Sequence, residues 1–275
     1  MKQIKDYSRL LNFLYLNEPL FVEEIAVIEN MCRYPDIKAY IDKPDHIASF
    51  LLSQYNEDMT WSIFLHSQGN ISFLSSALKL FSPIHKLHIQ TGSKEKSFIL
   101  PKLICRHSYK YLMLSLNRAD FHETIISSDN SSVIRLHPDM DLHGIEEWFG
   151  YGTARLKEEI RHGVYYAIKE GEEWASIAGT QLKSADCYYI FISTEPPFRR
   201  KGYAKKVLSA VCGEILRIGK TPVYALDASN LPSVKLAKSL GFKEFAQREC
   251  LFAGPWELAR PDNDNPDLPD SNYFE

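Results

Sequence analysis

The stretch from Cys187 to Leu216 restricts the fold more than any other. Cys187–Thr194 is a run of aromatic and β-branched residues, the composition of a buried strand. A short loop follows, Glu195-Pro196-Pro197-Phe198-Arg199-Arg200-Lys201-Gly202-Tyr203-Ala204. Val207, Leu208, Val211, Cys212, Ile215 and Leu216 then form paired apolar positions at helical spacing, one continuous stripe. A strand that feeds a helix through so short a loop has to pack that helix on its own sheet. The start of such a helix presents unpaired backbone N–H groups at the positive end of its dipole, which makes it an anion site. Gly202 lets backbone approach an anion closely, and small Ala204 leaves room at the helix start. Five of the eight residues from 199 to 206 are basic: Arg199, Arg200, Lys201, Lys205 and Lys206. The loop has a single glycine, which excludes a Walker loop and a Rossmann fingerprint. Taken alone it also fits a basic, solvated turn before a surface helix.

The flanking sequence extends this unit. Gly219 ends the helix, Pro222–Leu226 reads as the next strand, and Leu231–Leu240 as a second helix. Gly241 closes that helix, and Phe242 opens a last strand. Upstream, Val133–Leu136 reads as a strand, and Leu142–Phe149 and Ala154–Arg161 as helices. Val164–Ile168 and Trp174–Ile177 form a hairpin around Gly171. In the first half, helical spacing covers Leu10 to Ile28. Strands are expected at Ile47–Gln54, Trp61–His66, His85–Gln90 and Tyr111–Leu116, with a helix at Ser72–Phe81. The fold class is therefore mixed, α+β or α/β.

Glycine divides the chain. Residues 1–130 hold only Gly69 and Gly92, and the other eleven lie beyond. Ser127-Ser128-Asp129-Asn130-Ser131-Ser132 reads as a linker. Three segments follow: a domain at 1–130, a second at 131–260, and a tail at 261–275. The tail is acidic, rich in Pro and Asn, and expected to be disordered. Its five carboxylates (Asp262, Asp264, Asp267, Asp270 and Glu275) account for the change from a net charge of −3 for the whole chain to +2 without it. A nearly neutral body argues against a nucleic-acid partner. No apolar run is long enough for a membrane helix, and the first residues do not read as a signal peptide. Five cysteines, an odd count with no CxxC, fit thiols in a reducing cytoplasm. No metal is expected. There is no HExxH, and His85 and His88, three apart in a strand, face opposite sides.

Arg199-x-x-Gly202-x-Ala204 resembles the [QR]xxGx[GA] pyrophosphate loop of the GNAT acetyltransferase superfamily. Asn230-x-x-Ser233-x-x-Leu236, closed by Gly241-Phe242, resembles the superfamily's later segment at matching offsets. Thr194-x-Pro196-x-Phe198 resembles the lead-in to the loop, notably in the glycine N-acyltransferase-like branch. The resemblance covers roughly residues 133–255. It implies a mixed, mostly antiparallel sheet flanked by helices, and acetyl-CoA as acyl donor. The strand ending at Ile192 and Thr194 would pair with the pantetheine arm. The N–H groups of Arg200, Lys201, Gly202, Tyr203 and Ala204 would cradle the pyrophosphate behind Arg199, helped by Lys205. Asn230 and Ser233 would contact the pantetheine from the other side, although Asn230 also reads as a plain helix N-cap.

One position departs from the pattern. Many members carry a tyrosine after the position of Leu236 that protonates the leaving thiolate, and here that residue is Ala237. A thiolate leaves passably unaided, because a thiol pKa is about 8.5. Ser233, Ser239 or water are substitutes. The implied activity is N-acetyl transfer to a primary amine of a small molecule by direct attack. Glu195 and Asp186 are candidate bases, and Tyr188 and Tyr189 candidates for shaping the site. For each of these a plain loop or packing role is the simpler reading. A CoA-binding regulatory module with reduced catalysis is the alternative. The first half has no matching glycine loop, with Gly92-Ser93-Lys94-Glu95-Lys96 standing where one might sit. Its order of strands and helices still resembles a degenerate GNAT-like half, as in tandem members. The sequence leaves the oligomeric state open, a homodimer included.

Overall fold

In a computed structural model the alternating and helical rows of the sequence become twelve strands and seven α-helices among the described residues. Those residues are 1–29, 37–43, 46–55, 60–81, 86–103, 105–123, 133–149 and 152–254. The expected linker at 127–132, the tail at 261–275, Cys32 and His85 lie outside them.

The first run is β1 (Lys2–Ile4), α1 (Ser8–Tyr15), α2 (Val22–Glu29), β2 (Lys38–Ile41), β3 (Ser49–Tyr55), β4 (Thr60–Ser67), α3 (Ile71–Leu78), β5 (Lys86–Thr91), α4 (Ser93–Ile99) and β6 (Cys105–Ser115). The second is β7 (Val133–Arg135), α5 (Thr153–His162), β8 (Tyr165–Glu170), β9 (Glu173–Lys183), β10 (Cys187–Thr194), α6 (Tyr203–Arg217), β11 (Thr221–Asp227), α7 (Leu231–Leu240) and β12 (Lys243–Ala253). The second run repeats the first, with a 3-10 turn at Glu146–Phe149 where the first has α1.

The chain forms two compact units. One comprises Met1–Met113, Asp227–Ser229 and, among the described residues, those from Ala246 to Gly254. The other comprises Leu114–Leu226 and Asn230–Phe245. This division does not follow the linear one at residues 130 and 131. The end of β12 pairs antiparallel with β5, Glu249 opposite Thr91 through Ala253 opposite Leu87, so the last strand completes the first unit.

In the first unit, alternation sends Phe50, Leu52 and Phe64 to one sheet face, packed with Leu10, Leu14, Phe21 and Ile25 of the α1–α2 segment. Leu51, Ile63, Leu65 and Ile89 point to the other face, against Phe73 and Leu74 of α3 and Ile99 of α4. In the second unit, Leu156 and Ile160 of α5 pack on Tyr165, Ala167 and Ile177. Val207, Leu208, Val211, Cys212 and Ile215 of α6 are buried, the stripe expected from the sequence. The sheets are mostly antiparallel. Two parallel pairs stand out, β4 with β5 and β10 with β11.

Several elements differ from expectation. Gly92–Lys96 opens helix α4 rather than a loop, with its Glu95 buried and accepting the Ser67 N–H at 3.2 Å. The segment matching the Arg199–Ala204 loop in element order is instead the β4–α3 turn, which contains Gly69. Leu142–Phe149 is not a full helix. Gly144 has φ of 84°, which breaks helical continuation, and only the 3-10 turn at its end remains. β1 and β2, three and four residues long, carry too little alternation to be read from sequence.

Candidate cofactor and active site

The β10–α6 loop is built to leave donors open. A 3-10 turn at Pro196–Phe198 follows the strand, and the Arg199 Nε donates to the Thr194 carbonyl at 3.1 Å. Arg199 therefore folds the loop back on the strand end. Arg200 has φ of 67°, and Gly202, at the N-cap of α6, has φ of 82°. Arg200 is the one non-glycine residue in the left-handed region among the described residues. That region costs a non-glycine residue roughly 1–2 kcal/mol, because its Cβ crowds the following carbonyl oxygen. No side chain caps α6. Its first turn closes only at Lys206, whose N–H reaches the Gly202 carbonyl at 3.2 Å. The N–H groups of Gly202, Tyr203, Ala204 and Lys205 precede that bond, in the concave arrangement that receives an anion. A Cβ on Gly202 would meet nothing within 4 Å, so glycine answers the positive φ and borders open space.

Beside this loop the sheet divides. β10 pairs in parallel with β11 only at Cys187–Thr221, Tyr188–Pro222 and Tyr189–Val223. Beyond Tyr189 the two strands separate, while β10 continues on β9 from Ile190 opposite Thr180 to Thr194 opposite Ser176. The register shift on the β9 side falls at the same place, between Tyr189 and Ile190. The extra residue, Gln181, lies on β9; a bulge bends and twists the strand that carries it, and β10 stays paired with β9 as it leaves β11. The β11-facing backbone groups from Ile190 to Thr194 are thus offered to a cleft that leads to the uncapped start of α6. Ile192 and Thr194 are half-buried within that segment. The Thr194 hydroxyl and the buried Ser176 hydroxyl are 2.8 Å apart.

Residues 154–249 match the GNAT acetyltransferase family model. Over those residues the sequence is similar to GNAT acetyltransferases. No curated protein matches the sequence. Among solved structures it is similar to a tandem GNAT protein from the clavulanic acid biosynthesis pathway, determined without AcCoA. The identity is 11%, the TM-score 0.55, and the match covers 93% of this chain and 99% of that one. It is also similar to a GCN5-related N-acetyltransferase-like protein from Streptococcus suis 89/1591, with 17% identity, a TM-score of 0.54 and coverage of 78% and 88%. A Drosophila protein gives 13% identity, a TM-score of 0.61 and coverage of 92% and 91%. At these identities the likeness is one of fold, and it extends over both units.

The region that matches the family model positions the remaining residues as follows. Asn230 caps α7, its side chain accepting the Ser233 N–H at 3.2 Å. Ser233 is half-buried in the first turn of that helix. Ser239 donates to the Leu236 carbonyl at 2.8 Å, and that hydroxyl is used within α7. Ala237 is fully buried, and its carbonyl accepts the Phe242 N–H at 3.2 Å. Gly241 has φ of 97°, and a Cβ there would lie 1.8 Å from the Asp120 carbonyl oxygen. The Gly241-Phe242 close is therefore a packing requirement. Tyr189 is the last residue paired before the strands part and is 6% exposed. Tyr188 faces the other side, with Lys183 over its ring. Glu195 lies past the far end of the split segment, its N–H bonded to the Ala175 carbonyl at 3.1 Å. Asp186 precedes β10 and pairs with Lys220 at 3.3 Å, at the end of the strand away from the cleft. The sequence-level base assignment to Asp186 does not fit that placement.

The sequence reading missed Glu170. It ends β8, and its carboxylate accepts from Lys201 Nζ at 2.8 and 3.0 Å and from the Tyr203 hydroxyl at 2.5 Å. The Lys201 bond, then the Tyr203 bond, hold its carboxyl below the usual glutamate range. Nothing local in the sequence marks a glutamate thirty-one residues upstream of Lys201 as a partner of the loop. Among the described residues no three His, Cys, Asp or Glu side chains converge on a possible metal position. No helix among them is long and apolar enough to cross a membrane, and no disulfide joins the described cysteines.

Proposed function

We propose that the chain is an acetyl-CoA-dependent N-acetyltransferase that acetylates a primary amine of a small molecule by direct attack. The observation that carries this reading is the parting of β10 and β11 after Tyr189, leading to the uncapped start of α6. An extended ligand arm with amide groups can bond to the free strand edge, and a pyrophosphate can take the N–H groups of the loop. Acetyl-CoA supplies both, together with an activated thioester. Gly202, Tyr203, Ala204 and Lys205 would bind the pyrophosphate through their N–H groups. Arg200 and the Lys205 ammonium would add charge. Ile192 and Thr194 would orient the arm, and Asn230 and Ser233 would flank it from α7.

The reacting end then falls near Tyr189, where the cleft closes. A backbone N–H of β10 at that end would stabilise the oxyanion that forms as the amine attacks. Glu195 sits beside the loop, about six residues and ~20 Å of strand away, so it would reach the amine only through a chain of ordered water. With Ala237 buried, Ser233 or water would deliver a proton to the departing thiolate. A cytoplasmic enzyme acting on a small amine, without nucleic acid or membrane as partner, fits the near-neutral body of the sequence. The loss of the tyrosine at Ala237 also motivates a second reading, a CoA-binding regulatory module with reduced catalysis.

The test is a thermal-shift series with acetyl-CoA, followed by an amine screen that detects thiol release. At about 100 times the dissociation constant the ligand should stabilise the chain by ~2.7 kcal/mol. Turnover with any amine supports the enzyme. A shift without turnover across the screen supports the regulatory module. The absence of a shift overturns both.

A further inference from the structure

We infer that Glu170 is the residue that sets the conformation of the phosphate loop, and that it does so from outside the loop. This rests on the acetyl-CoA reading above. The loop has to hold two left-handed residues, Arg200 at φ of 67° and Gly202 at 82°, one on each side of Lys201. Chain preference does not favour that sequence of conformations at a non-glycine residue. α6 has no side-chain cap to fix its first turn. What fixes the loop is a carboxylate on the neighbouring hairpin. Glu170 Oε1 and Oε2 lie 2.8 and 3.0 Å from Lys201 Nζ. Oε2 also takes the Tyr203 hydroxyl at 2.5 Å. The two tethered side chains bracket Gly202. The Lys201 ammonium also sits 5.2 Å from the centre of the Phe198 ring, so the loop start is drawn to the same point.

Glu170 can serve as a fixed post because its own backbone is held by sheet register. It pairs with Glu173 across the β8–β9 turn, and Gly171 takes φ of 63° to make that turn. The arrangement also assigns Lys201 a role different from the one its sequence position suggests. Its charge is already met by Glu170, so it acts as an arm of the tether, and Lys205 and Arg200 remain for the phosphates.

A loop that populates its binding conformation only part of the time binds with an affinity reduced by that fraction. Glu170 touches neither the acyl group nor the amine, so it is a positioning residue. Its removal should raise KM for acetyl-CoA and leave kcat unchanged, the signature of lost uniform binding. The experiment measures CoA affinity by calorimetry and KM and kcat for acetyl-CoA in wild type, Glu170→Ala and Glu170→Gln. The alanine variant should bind CoA about tenfold more weakly, as expected if the competent fraction falls to about a tenth. The glutamine variant keeps an oxygen that accepts from Lys201 and Tyr203, and should stay within about threefold of wild type. Equal or tighter CoA binding by Glu170→Ala overturns the inference. So does a fall in kcat at unchanged KM, or a glutamine variant as weak as the alanine one. A wild-type chain that binds no CoA overturns the acetyl-CoA reading itself, which keeps the two failures distinct.

Discussion

The two parallel strand pairs occupy the same place in the repeated order of elements and end differently. β4 and β5 stay paired at six positions, from Thr60 opposite Lys86 to Leu65 opposite Thr91. β10 and β11 stay paired at three. Where the second pair has opened, the first is tied by the Thr91 hydroxyl, which donates to the Leu65 carbonyl at 2.8 Å. The loops differ in the same sense. After β4, the Ser67 N–H goes to Glu95, the Asn70 N–H to the Ser67 hydroxyl at 2.9 Å, and the Phe73 N–H to the Asn70 side chain at 3.0 Å. After β10, α6 starts uncapped. One architecture thus occurs twice, once with its donors satisfied internally and once with them left for a ligand.

The comparison can be broken at the residues that close the first unit. The largest effect is expected at Arg248, which pairs with Glu23 and with the fully buried Glu24. Burial opposes the guanidinium charge, but the two carboxylates outweigh it and raise its pKa. Arg248→Met would strand a buried carboxylate and should cost about 3–5 kcal/mol in urea unfolding. CoA affinity of the folded fraction should not change. The two N-caps sharpen the contrast further. Asn70→Ala and Asn230→Ala should each cost about 1 kcal/mol. Only the second should also weaken CoA binding, because only α7 borders an open cleft. Equal effects of the two variants on affinity would remove the distinction.

The smallest effect concerns Tyr166, whose pKa burial and a 2.8 Å bond to Glu214 raise from 10.0 to about 12. A raised phenol pKa favours the protonated, folded form. Its contribution is complete below pH 10.0 and is lost as the pH rises toward about 12. Tyr166→Phe should flatten the decline in stability over that interval, measured by denaturant unfolding.

Much of the second unit was legible in the sequence. Cys187–Thr194 and Leu231–Leu240 carry complete strand and helix patterns bounded by Pro and Gly, and both occur with those bounds. The loop motif read correctly as a strand-to-helix turn. The parting of β10 from β11 could not be read, because it depends on the register between strands far apart in the chain. Glu170 was invisible for the same reason. Gly92 is one of only two glycines in residues 1–130, yet it stands at the start of α4. Gly69, with φ of 83°, holds the place that corresponds to Gly202. The return of β12 to β5 was likewise hidden, since an apolar strand pattern does not name its partner.

Those two glycines give the most direct test. Gly69 and Gly202 have φ of 83° and 82°, and neither would meet a neighbour within 4 Å on gaining a Cβ. A glutamate at either position therefore adds similar backbone strain and the same charge. Calorimetric titration of CoA into wild type, Gly202→Glu and Gly69→Glu should show one site per chain, absent in Gly202→Glu and retained in Gly69→Glu. Two sites in wild type, binding that survives Gly202→Glu, or binding lost equally in both variants would contradict the account.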